Sequence, residues 1–220
     1  MILPVARLEP SPEAPLAAGP FNGWLSAMSR ALTHRTAIDV PCGDCTACCS
    51  GGYFVHVGPA DAGARRRVPA ALLFPAPGAP AGHRVLARRA DGHCPMLRDR
   101  VCSIYEDRPM TCRTYDCRIF AATGLAEPEE EKRAIMARAA RWRFDYADAA
   151  ERARHDALRA VAWGLVSEAE GLADVLPRNA TQLAMLVVER AEPLLALLEA
   201  AGGRLPEVGR LRPVLAADPT

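Results

Sequence analysis

The 220-residue chain sets 27 Lys and Arg against 26 Asp and Glu, a formal charge of +1, with half of its residues hydrophobic and 24% charged. This balance belongs to a globular protein of one domain, or one domain with an appended helical segment, long enough to bury a core of its own. The small charge removes the term that drives non-specific nucleic-acid binding, and 5% aromatic residues leave few stacking platforms for single strands, so nucleic acid is not an expected partner.

In chain order, residues 1–20 are rich in Pro and Ala, lack a basic start and a continuous apolar core, and read as a mobile tail rather than an export signal. Phe21 to Thr33 reads as a helix with Asn22 as N-cap and Trp24, Leu25, Met28 and Leu32 on its apolar face. The segment from Pro41 to Gly52 contains Cys42, Cys45, Cys48 and Cys49. Tyr53 to Val57 is a predicted strand. Pro59 to Leu73 reads as a helix broken at Pro69, its Arg65-Arg66-Arg67 run a solvated face. A Pro/Ala/Gly loop over 74–82 leads to a second strand near Arg84 to Ala87, expected to pair with the first. Cys94, Cys102, Cys112 and Cys117 follow. Leu97, Val101, Ile104 and Tyr105 are expected to form an apolar wall, and a turn at 107–110 leads into a short helix bearing Cys112 and Cys117.

From Glu127 the pattern becomes helical. Glu129 to Glu131 suit a first turn, where the helix dipole favours negative charge. Leu158, Val161, Ala162, Leu165 and Val166 form a stripe at helical spacing. Asn179 and Gln182 make a capping pair for a helix whose apolar face runs through Leu183, Leu186, Val187, Leu194, Leu195 and Leu198, with a kink or break at Pro193. Gly202-Gly203 reads as a helix stop. Trp142 and Trp163 read as packing residues. The longest apolar run, Leu183 to Val188, falls far short of the roughly 20 residues that span a bilayer. No membrane association is expected, and a cytoplasmic location follows, where thiols stay reduced.

That all eight cysteines lie between Cys42 and Cys117 is the most informative feature of the chain. Structural cysteines would be scattered as small hydrophobes, and a disulfide framework suits a shorter, exported chain. Metal ligation remains. Two residues between cysteines let a tight loop turn both sulfurs toward one centre, and Gly43 can adopt the backbone angles this needs. The adjacent Cys48 and Cys49 should point apart.

The pattern CxxCxxCC followed by CPxLxxxxCxIYxxRPxxCRxYxC resembles the YkgJ-type cysteine-cluster proteins, a bacterial family described as zinc- or iron-chelating. Besides the cysteines, Ile104, Tyr105, Arg108, Pro109, Arg113 and Tyr115 match it. The resemblance implies that Cys42, Cys45, Cys48, Cys49, Cys94, Cys102, Cys112 and Cys117 are metal ligands. A similar cluster occurs in the flagellin lysine N-methylases, which are longer and differ near the end of the second knot; a side-chain-modifying enzyme is therefore the remote alternative.

Eight thiolates suit two Cys₄ zinc sites, a multinuclear zinc site, or one or two iron–sulfur clusters. Arginines at 98, 100, 108, 113 and 118 are interleaved with acidic residues, so charge does not separate these cases. Paired zinc knuckles usually show two CxxC units; here the second knot has gaps of a different kind, which favours an iron–sulfur cluster. Of the histidines, His93 abuts Cys94 but is not needed as a ligand. His56 reads as a strand-edge imidazole, and His34, His83 and His155 carry no constellation.

The expectation is an α+β protein: a tail at 1–20, a metal-nucleated cysteine-cluster domain at 21–126 with two short strands, a helical extension at 127–202 and a tail at 203–220. Its function is metal binding, redox or accessory, with a zinc-stabilised interaction module as the alternative. The C-terminal helices are the place for a protein partner.

Overall fold

A computed structural model describes residues 4–38 and 40–217. Residues 1–3 and 218–220, the extremities of the two expected tails, lie outside the described residues. The protein is α+β. Its first half contains β1 (Ala6–Arg7), β2 (Leu16–Pro20), α1 (Phe21–His34), α2 (Ala47–Ser50), β3 (Val55–Val57), α3 (Ala62–Arg67), β4 (Leu73–Pro75), β5 (Arg84–Leu86), β6 (Leu97–Arg98) and β7 (Val101–Cys102). Then follow α4 (Met110–Thr114), α5 (Arg118–Thr123), β8 (Leu125–Ala126), α6 (Arg133–Ala139), β9 (Trp142–Asp145), α7 (Ala149–Ser167), α8 (Ala180–Glu189), α9 (Ala191–Ala200) and α10 (Val208–Ala216).

The chain forms two compact units. One, the helical unit, takes residues up to 34, 117–129 and from 136 onward; the other, the cysteine unit, takes 35–116 and 130–135. The division does not follow the expected boundaries at 21, 127 and 203.

In the helical unit, β2 pairs in parallel with β9, Leu16 opposite Trp142 and Pro20 opposite Asp145, and β1 pairs antiparallel with β8. The expected N-terminal tail is thus built into the fold over its described residues. Leu-Ala-Ala-Gly-Pro has little strand propensity of its own. It is extended because β9, over a hundred residues later, offers it hydrogen-bond partners. β9 itself reads as an interruption of a helical region; its Trp142 and Phe144 are buried while Arg143 and Asp145 point out, the two-residue period of a strand.

Helix α1 buries Phe21, Trp24, Leu25, Met28 and Ala31. Asn22 lies inside it rather than capping it. The backbone N–H of Asn22 donates to Glu151 Oε1 of α7 at 2.6 Å, so a distant carboxylate supplies the acceptor expected from a local side chain. The stripe on α7 is buried at Leu158, Val161, Ala162 and Leu165, and it extends toward the helix start through His155 and Glu151. Asp148 caps α7 by accepting from Glu151 N at 2.8 Å. Asn179 caps α8 as expected, its Oδ1 accepting from Gln182 N at 2.8 Å. The break between α8 and α9 falls at Arg190, three residues before Pro193, which occupies the first turn of α9 where a missing N–H leaves no bond unmade. The region read as a C-terminal tail includes α10, which buries Leu211 and Leu215.

In the cysteine unit, β3 and β5 pair antiparallel as expected, Val55 opposite Leu86 and Val57 opposite Arg84. β4, from what reads as the edge of a loop, adds a third strand, Leu73 opposite Leu86. Val55 and Leu86 turn to one face and, with Val68, Met96, Ile104 and Cys94, form a small buried cluster. α3 stops ahead of Pro69, and Arg65, Arg66 and Arg67 are exposed. β6 and β7 form a hairpin whose two loop residues, Asp99 and Arg100, both have positive φ (48° and 61°). That conformation matches the right-handed strand twist of a tight hairpin, which Asn-Gly would have announced and Asp-Arg does not. The expected apolar wall is only half present. Ile104 is buried and Leu97 partly so, whereas Val101 and Tyr105 are 63% and 52% exposed.

Candidate metal centre

The first knot is shaped by its glycines and by one helical turn. Cys45 N donates to Cys42 O at 3.0 Å, closing a tight loop in which Gly43 has φ of +56°. Cys48 and Cys49 lie on α2, and their side chains diverge as expected: Cys48 is exposed, whereas Cys49 packs against the buried cluster. Gly51 and Gly52 end this turn. A Cβ on Gly51 would lie 2.7 Å from Ile135 Cδ1, and one on Gly52 would lie 2.8 Å from Glu131 Cβ. Only glycine lets residues 131–135 approach the cysteine loop this closely, an approach fixed by Gly52 N donating to Glu131 O at 3.1 Å.

The second knot is tied to the first through the main chain, Cys94 N donating to Cys49 O at 2.7 Å. Arg88 braces the same point. Its Nη1 donates to Cys49 O at 3.1 Å and its Nε to Tyr53 O at 2.9 Å. Cys102 stands opposite Leu97 in the β6–β7 hairpin. Cys112 is carried by α4, whose Thr111 Oγ1 donates to His56 O of β3 at 3.0 Å. Three elements and the loop before β6 therefore bring Cys49, Cys94, Cys102 and Cys112 onto one apolar cluster, with Val55, Val68, Leu86, Met96 and Ile104 around them.

Electrostatics reports the same grouping. Burial, then the neighbouring Cys94, Cys49 and Cys102, push the Cys112 thiol from 9.0 up to about 12. Burial, Cys94 and Cys102 push Cys49 up to about 11, with Arg88 pulling the other way. Burial also raises Cys102, against the pull of the Ile104 N–H and Arg108. Thiols that resist ionisation because of apolar surroundings and one another form a donor set that a cation reverses, since metal charge replaces the protons. Cys45 is near enough to Cys49 to raise it further.

All eight cysteines are thiols. Among the described residues, no three His, Cys, Asp or Glu side chains already stand in a geometry that could hold a metal ion. Closing four sulfurs on one centre therefore requires their side chains to contract toward it. Cys117 differs from the other seven in belonging to the helical unit. The helix expected to carry both Cys112 and Cys117 is two helices, because α4 ends at Thr114 and Cys117 immediately precedes α5. Cys117 is buried, and its sulfur accepts from Trp142 Nε1 at 3.2 Å.

Residues that sequence reading passed over are also brought together. His56 and His83 stack, with Nε2 of one 3.0 Å from Nδ1 of the other, because β3 and β5 are neighbours. The alternation of His56 with buried valines hinted at an outward face, but nothing in the sequence announced the pair. His155 is buried, not polar-facing. It stacks on Phe21 with ring centres 4.3 Å apart, and its Nδ1 lies 2.7 Å from the Tyr146 hydroxyl. Burial holds its pKa below the usual value. The signal was present: His155 sits three residues before Leu158, on the same stripe. His93 pairs with Asp91 at 3.3 Å at the surface.

Residues 41–138 match the CxxCxxCC family model, described as "putative zinc- or iron-chelating domain". Over these residues the chain is similar to the CxxCxxCC family. The match takes in all eight cysteines, covers less than half of the 220 residues, and leaves α7 to α10 outside. No curated protein and no solved structure gives a significant match. The match supports metal binding by this region, zinc and iron both being suited to its thiols. Among the described residues no helix is long and apolar enough to cross a membrane.

Proposed function

We propose that this CxxCxxCC protein holds an iron–sulfur cluster on its cysteines and serves as a redox or accessory protein of the reducing cytosol. The observation that carries the reading is the convergence of Cys49, Cys94, Cys102 and Cys112, drawn from three separate elements and the loop before β6, on one apolar cluster. Apolar surroundings shield a cluster from water, and four thiolates supply its full protein ligation. Cys42 and Cys45, on the loop that leads into α2, and Cys48, on α2 itself, are the further ligands of this region. When bound, the cluster supplies one-electron chemistry. The chain's own residues supply thiolates, exclude water through Val55, Leu86, Met96 and Ile104, and hold Cys49 through Arg88.

A second reading has its own support. The buried cluster of the cysteine unit is small, and a closed zinc tetrathiolate would complete it without any reaction. On that reading the helical unit, outside the family match, is where a protein partner docks. The deciding measurement is iron, zinc and acid-labile sulfide per chain on protein purified without oxygen, together with its visible spectrum. Iron and sulfide in matched amounts, with absorption that bleaches under dithionite, support the cluster. Zinc on a colourless protein overturns it in favour of the structural site. Protein that retains neither metal after reconstitution overturns both.

A further inference from the structure

A centre with four thiolates carries a charge of about −2, whether zinc or an oxidised cubane, and an apolar pocket magnifies the need to balance it. Most arginines near the cysteines are committed elsewhere. Arg113 donates from Nε to Arg108 O at 2.7 Å and from Nη2 to Glu106 O at 2.7 Å, bracing the loop between Cys102 and Cys112. Arg118 is in the helical unit, where it donates to Ala18 O at 2.9 Å. Arg98 and Arg100 are exposed on the hairpin. Arg88 gives three N–H groups to the carbonyls of Cys49 and Tyr53.

Arg108 is different. Its Nε is buried and has no hydrogen-bond partner, although the side chain is held in place, the guanidinium lying 3.5 Å over the Tyr105 ring. Its backbone is fixed by the Arg113 brace and by Pro109 on its C-terminal side. A buried, unspent donor on a cation is unfavourable unless an acceptor comes to it. Arg108 is also a charged neighbour that draws down the thiols of Cys102 and Cys112.

We infer that Arg108 is the outer-sphere positioning residue of the metal centre, donating its Nε–H to the sulfur of Cys102 or Cys112 once that sulfur is a metal-bound thiolate. The inference rests on the metal-binding reading above and holds for zinc and for a cluster alike. Tyr105 serves as the platform that orients the guanidinium, which explains why an aromatic residue half open to solvent stands at that position.

The test uses the full chain with Zn²⁺ as the probe, in the parent protein, Arg108→Gln, Arg108→Lys and Arg88→Gln. Zinc stoichiometry, melting temperature and the alkylation rate of each cysteine by iodoacetamide are read in parallel, since a thiolate relieved of a charge-assisted hydrogen bond is the better nucleophile. The expected result is full zinc content and a near-parental melting temperature in Arg108→Gln, with alkylation of Cys102 or Cys112 faster by about tenfold and Cys45 unchanged. Arg108→Lys, which restores charge without the planar donor, falls between. Arg88→Gln instead lowers stability and exposes Cys49. Equal alkylation of Cys102 and Cys112 in parent and Arg108→Gln overturns the role of Arg108. So does a uniform increase across all cysteines with a fall in melting temperature in both Arg108 variants, which marks a structural residue. A parent protein that takes up no zinc and no iron overturns the metal reading itself, a result separate from the other two.

Discussion

The two units solve the problem of stability by different means. Among the described residues, all but one of the largest fully buried side chains, including Phe21, Phe120, Leu25, Leu158 and Leu183, belong to the helical unit; the exception is Ile135. The large exposed hydrophobics, Phe54, Phe74, Val101 and Tyr105, all belong to the cysteine unit. One unit has long amphipathic helices that bury continuous stripes. The other has strands of two or three residues, helices of four to six, and thiols where a core would otherwise hold leucines. The difference teaches that the first has a continuous apolar core to rest on, whereas the second has a small one, which the proposed metal would complete.

The sharpest break of this comparison is metal withdrawal. Structural thiolate sites contribute on the order of 10 kcal/mol to small domains. Chelation, or Cys94→Ser with Cys112→Ser, is expected to abolish hydrogen-exchange protection in residues 42–112 while α7 to α9 keep theirs. Equal loss in both units would show that the cysteine region does not depend on metal for its fold. The converse experiment is Leu183→Ala in α8, where Leu183 is fully buried. A loss of about 2–5 kcal/mol is expected with metal content unchanged. Denaturant melts with metal analysis check both halves of that statement.

Proton competition gives the next effect. Because burial raises the thiols of Cys49, Cys102 and Cys112, each enters the reaction protonated at neutral pH and gives up its proton to bind. Zinc affinity should therefore rise roughly tenfold per pH unit for each thiol deprotonated. Chelator competition between pH 6 and 8 measures the slope. A flat profile would show that these thiols are not the ligands. The smallest effect is local: Arg100→Gly in the hairpin, at φ of 61°, should stabilise the cysteine unit by about 1 kcal/mol by removing left-handed strain, seen as a small rise in its melting temperature.

Much of the fold was legible where a signal is local. The α7 stripe, the Asn179 cap and the pairing of β3 with β5 follow from periodicity and capping chemistry written into adjacent residues. The misreadings share one cause. Leu16–Pro20 is a strand only because Trp142–Asp145 lies beside it, and Asn22 is no cap because Glu151 reaches its N–H from α7. Tyr105 reads as core by its position in an apolar pattern, yet it stands half exposed beneath Arg108.

The sequence by itself determined that this is a cysteine-rich metal-chelating domain joined to helices, because ligand type and close spacing are chemical facts of the chain. Only the tertiary structure decided which sulfurs pack on one apolar cluster, that Cys117 falls in the helical unit, and that Arg108 keeps a buried donor unspent. Those facts depend on contacts between residues far apart in sequence, and burial and hydrogen-bond satisfaction are properties of such contacts rather than of any residue alone.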